Sequence, residues 1–125
     1  MKLANVYAAN AVIGKLAQMR MNPKTAYAVL KYARNVEAEM SVIEKTRVAI
    51  IREITNTKDG EEAKIEPNTP MFDEYVSEFG AVLDVDADLE PSELQFDDVL
   101  SAISADQSNA LTIQEIGVLE PFFTT

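Results

Sequence analysis

The chain has 125 residues, enough for one domain with a modest core, and its 47% apolar and 26% charged residues are the composition of a globular protein. It has no histidine, cysteine or tryptophan, which excludes Ser-His-Asp and Cys-His catalysis, disulfides and thiolate chemistry, and leaves almost nothing from which to build a structural zinc site. The net charge of −10 is unevenly placed: residues 1–58 carry 10 Lys/Arg against 4 Asp/Glu (+6), and residues 59–125 carry 1 against 17 (−16).

The first predicted element is a helix over residues 3–20. Leu3, Val6, Ala9, Ile13, Leu16 and Met19 recur at steps of three and four and share one face. Asn5, Asn10, Gly14 and Lys15 interrupt the stretch as a signal-peptide core. No apolar run is much longer than Val48-Ala49-Ile50-Ile51, far short of the roughly 18 residues a membrane span needs. Asn22 suits an N-cap and Pro23 the first helical position. A connection this short makes the second helix, over 23–55, an antiparallel neighbour of the first.

The second helix carries a seam of alternating four and three steps: Val29, Ala33, Val36, Met40, Ile43, Arg47, Ile50 and Ile54. Arg47 is its polar exception, suited to snorkelling, to pairing with a nearby Glu or to fixing register. At about 1.5 Å per residue the second helix is about 48 Å long and the first about 27 Å. The distal stretch therefore needs cover from the C-terminal half or from a second copy. Ile43, Arg47, Ile50 and Ile54 are the candidate contact with that copy.

Residues 58–70 read as a charged, turn-rich connector containing Asp59-Gly60 and Pro67-Asn68. Thr69 and Pro70 then start a third helix bearing Phe72, Tyr75, Val76 and Phe79, with Gly80 as its stop. Over 82–89, Leu83, Val85, Ala87 and Leu89 alternate with Asp84, Asp86 and Asp88, which predicts a half-buried strand. Leu94-Gln95-Phe96 reads as a second short strand leading into a helix over Phe96, Val99, Leu100 and Ile103. Thr112-Ile113-Gln114-Glu115 fits a capping box that opens the last helix, and Pro121 ends it. Phe122 and Phe123 follow, either as a docking tail or as a plug for the protein's own core.

The predicted fold is α+β and mostly α, in a single domain 1–125. A basic antiparallel helical hairpin (1–57) and the connector (58–70) precede an acidic half (71–125) with a small β element and short helices. The charge split has two readings: the halves fold onto each other and neutralise, or one half docks the opposite half of another copy or a charged partner.

The residues support little chemistry. Read as a calcium loop, Asp84-x-Asp86-x-Asp88 has Leu89 where a glycine is needed and Gln95 where the bidentate Glu belongs. The three aspartates read instead as an interaction surface for a basic partner. The cations of the N-terminal half are interleaved with Glu37, Glu39, Glu44 and Glu53, and the whole-molecule charge opposes direct nucleic-acid binding. The four glycines are isolated, so no phosphate loop exists. No catalytic residue, metal ligand, cofactor or membrane contact is expected.

Lys24-Thr25-Ala26-Tyr27 opens a long helix holding Glu37, Glu39, Glu44 and Arg47. A helix with Phe72, Glu74 and Glu78 leads into Val82-Leu83-Asp84-Val85-Asp86, and the chain closes on Leu111-Thr112-Ile113 and Leu119-Glu120-Pro121-Phe122. That order resembles a family of small uncharacterised proteins of tailed bacteriophages and prophages. The connector is the least similar part. The resemblance implies no reaction; it implies the host bacterial cytoplasm or the virion as location. The expected function is that of a non-enzymatic phage accessory or virion-assembly protein, acting as an oligomer through contacts with itself and with a phage or host protein. The alternative is an acidic phage inhibitor of a host defence or nucleic-acid-binding protein.

Overall fold

The computed structural model describes residues 1–58 and 63–125; the turn expected at Asp59-Gly60 lies outside them. In chain order the elements are α1 (Leu3–Ala17), α2 (Pro23–Thr55), α3 (Pro70–Leu83), β1 (Ser92–Gln95), α4 (Phe96–Ser104), α5 (Ile113–Leu119) and β2 (Phe123–Thr124), with a 3₁₀ turn at Glu120–Phe122. The architecture is mostly helical, with one two-stranded parallel sheet of β1 and β2.

Local side-chain capping sets the starts of α2, α3 and α5. Asn22 Oδ1 accepts from the Thr25 N–H at 2.9 Å, ahead of Pro23. Thr69 Oγ1 accepts from the Phe72 N–H at 3.2 Å, ahead of Pro70. At α5 the box is reciprocal: the Glu115 N–H donates to Thr112 Oγ1 at 3.1 Å and the Thr112 N–H to Glu115 Oε1 at 2.8 Å. α2 stops where Asn56 turns left-handed at φ 53°, a conformation asparagine tolerates.

The core sits where α1 meets α2. Val6, Ala9, Ile13 and Leu16 of α1 are buried, as are Val29, Val36 and Ile43 of α2. Each large aliphatic side chain withdrawn from water in this way stabilises the fold by about 1.5–3 kcal/mol. α3 packs on α2 and α1, and α5 packs on α1. Tyr75 stacks on Phe79 at 5.6 Å, and Tyr7 meets Phe79 edge-on at 5.3 Å. At the other end Phe96 stacks on Phe123 at 5.6 Å. Asn109 clamps the α1–α2 connection from the far side of the chain. Its Oδ1 accepts from the Arg20 N–H at 3.1 Å, and its Nδ2 donates to the Arg20 and Ile103 carbonyls.

The structure departs from the sequence reading at residues 80–89. Gly80 does not stop α3; it lies inside a helix that runs to Leu83, with Asp84 as C-cap. Nor is 82–89 a strand. Val85 is 55% exposed while Ala87 and Leu89 pack against the core, so the alternation does not define one buried face. The segment instead crosses the start of α1: the Leu3 N–H donates to the Val85 carbonyl and the Ala87 N–H to the Met1 carbonyl, each at 2.8 Å, around a single antiparallel bridge between Lys2 and Asp86. The strand that does form, β1, takes as partner a two-residue strand at the other end of the chain.

Candidate interaction surfaces

The distal part of α2 obtains its cover from the chain itself. Ile43 is 1% exposed, Ile50 packs against the core and Ile54 is half-buried, so these isoleucines do not form a free contact surface. α3 packs on α2, and its Phe72 and Tyr75 share a groove with Arg47 and Ile51 of the distal part. Within α2, Arg47 Nε donates to Glu44 Oε2 at 3.0 Å. This pairing lowers the Glu44 carboxyl below the ordinary carboxylate range, the Arg47 hydrogen bond being the largest cause. Arg47 thus sits beside α3 with its charge matched.

Phe122 and Phe123 are 0% and 5% exposed. They are part of the core and not a docking tail. The parallel pairing of β2 with β1 and the bond from Thr124 Oγ1 to the Ser92 carbonyl at 2.8 Å hold them there.

The three aspartates remain at the surface but do not share a strand face. Asp84 caps α3 and meets Lys2 Nζ at 3.2 Å, a pair so exposed that it contributes little. Asp86 sits in the bridge to Lys2, and Asp88 lies on the rim of a groove. Among the described residues no three acidic side chains form a group able to hold a metal ion.

That groove encloses about 840 Å³ between α2 and the segment 88–94. Lys31, Tyr32, Asn35 and Glu39 form one wall, and Asp88, Glu90 and Glu93 stand on the other. The Tyr32 hydroxyl crosses it, donating to the Glu90 carbonyl at 2.8 Å. Burial, then the neighbouring Glu90 charge, pushes the phenol up to about 12. No local pattern in the sequence pairs Tyr32 with Glu90, because the chain between them must fold first.

Two ion pairs bridge the basic and acidic halves among the described residues: Lys2–Asp84 and Lys15–Glu115, the second at 3.0 Å. Lys24, Lys31, Arg34 and Lys45 on α2 are exposed and in no ion pair among the described residues, as are Asp86, Asp88, Glu90 and Glu93. Among the described residues no helix is long and apolar enough to cross a membrane. No family model matches the chain, and neither does any curated protein or solved structure.

Proposed function

We propose that this is a non-enzymatic protein that works through protein–protein contact as an oligomer, in the accessory or assembly role that its resemblance to phage proteins implies. Its scaffold is an antiparallel hairpin of α1 and α2, a reading supported by the short connection 18–22 and by the packing of one helix on the other. The observation that carries the proposal is the charge display. Lys24, Lys31, Arg34 and Lys45 of α2 and the acids of 86–93 stay exposed on one molecule, in no ion pair with each other among the described residues. A surface of each sign, left open on the same chain, suits contact between copies or with a charged partner.

The exposed acids of 86–93 favour a second reading, an acidic inhibitor that occupies the basic site of a host defence or nucleic-acid-binding protein. Affinity capture of the tagged chain from infected bacteria, followed by mass spectrometry, separates the two. A virion component among the captured proteins supports assembly. A host nuclease or sensor supports inhibition. Turnover of a substrate by the purified chain would defeat both.

A further inference from the structure

We infer that a second copy of this chain docks along α2, the two α2 helices running antiparallel, with Lys45 of each copy set into the acidic groove of the other. The inference rests on the oligomeric reading above and names its interface.

α2 has two seams. The inward one, Val29, Val36 and Ile43, is buried. The outward one lies one residue earlier, about 100° round the helix. It consists of Asn35, Ala38, Val42, Lys45 and Ala49, spaced three and four apart, and all five are exposed, Val42 to 62%. That spacing is the seam of a coiled coil, and a polar Asn within it is a known device for fixing register. Among the described residues, the groove of about 620 Å³ along the distal part of this face is lined by Glu44, Lys45, Val48, Ala49, Arg52 and Glu53 of α2 and by Asn56 and Thr57 just after it, with no residue from another helix.

Charge sets the direction. Parallel helices would place Lys45 beside Lys45, which is unfavourable. Antiparallel helices centred between Ala38 and Val42 bring Val42 against Ala38 of the other copy and Lys45 against Asn35. The two Lys45 side chains are then about 15 Å apart along the axis. Asn35 lines the 840 Å³ groove whose opposite wall carries Asp88, Glu90 and Glu93. Lys45 makes no ion pair among the described residues. The exposed cation of one copy and the exposed acids of the other thus meet twice, once on each side of a two-fold axis. A basic peptide from another protein could use the groove alone, but it would leave the outward seam uncovered.

The chain has no cysteine, so single-cysteine variants of the full-length protein report the geometry directly. Val42→Cys is expected to be linked into dimers by a short bis-maleimide. Lys24→Cys is not, since its mate would lie about 48 Å away along the axis. Equal linking at both positions would mean parallel helices and overturn the inference. Lys45→Glu is expected to weaken dimerisation about tenfold or more, and adding Glu93→Lys to restore most of it. All these side chains are exposed, so circular dichroism should show an unchanged fold. A protein monomeric by light scattering would overturn both the inference and the oligomeric reading. A dimer that neither links at residue 42 nor responds to Lys45→Glu would overturn this interface alone.

Discussion

Tyr32 shows how one hydroxyl ties the two halves together. Its bond to the Glu90 carbonyl holds the loop 88–91 against α2. Tyr32→Phe is expected to destabilise the protein by about 1 kcal/mol at neutral pH, the usual worth of a neutral hydrogen bond. The folded phenol titrates at about 12 against an ordinary 10.0, so its neutral form is favoured by folding. That contribution is complete below pH 10 and lost as pH rises towards 12. The stability gap between wild type and Tyr32→Phe, read by urea unfolding, should narrow over that range; a constant gap would locate the effect elsewhere. Glu115 has the opposite sign. The Thr112 N–H, then the Lys15 ammonium, hold its carboxyl below the ordinary range. Its contribution is present above an ordinary Glu value of about 4.3 and lost as pH falls through the folded value. Thermal melts of wild type and Glu115→Gln should therefore differ at pH 7 and converge in acid. Convergence at high pH instead would reverse the assignment.

The elements legible in the sequence are those fixed by neighbours three or four residues away. Asn22 with Pro23, Thr69 with Pro70, and Thr112 with Glu115 each cap a helix within a single turn. β1 was legible in part, as the short strand read at Leu94-Gln95-Phe96, but its partner was not, because Ser92 pairs with Phe123 far along the chain and a two-residue strand has no periodicity. Leu83, Val85, Ala87 and Leu89 misled for a related reason: four apolar residues at every second position describe a strand or, as here, a helix end followed by a turn. Gly80 misled because glycine marks a helix end only where a left-handed residue is needed. An added Cβ at Gly80 meets nothing within 4 Å, and Gly14 in α1 is equally open. Gly80→Ala and Gly14→Ala are therefore each expected to stabilise the monomer fold by about 0.5–1 kcal/mol, measured by chemical denaturation. A loss at either position would mean that the backbone there is closely approached by something outside the chain.

Across the whole molecule, the helix lengths already required a cover for the distal part of α2, but a seam does not state what fills it. α3 packs on α2 with Tyr75 beside Arg47, and Ile43 is buried, Ile50 packs on the core and Ile54 is half-buried, so the three isoleucines do not form a free surface for a second copy. The proposed contact between copies is therefore placed on the outward seam, where Val42 and Lys45 stand exposed. Of the two readings of Phe122 and Phe123, docking tail or core plug, their burial selects the core. The charge asymmetry was plain from composition. Its consequence depends on the fold, which sets α2 and the segment 88–94 side by side, with Lys31 and Lys45 on one and Asp88, Glu90 and Glu93 on the other in no ion pair among the described residues. Salt should therefore act on assembly more than on folding, since exposed pairs are screened beyond about 10 Å at 0.1 M salt. The direct measurement is sedimentation velocity of the wild-type chain at micromolar concentration in low and in high salt. A dimer at low salt that shifts towards monomer at high salt is expected. A monomer in both, or a dimer that salt leaves unchanged or strengthens, would mean that the separated charges do not hold copies of this protein together.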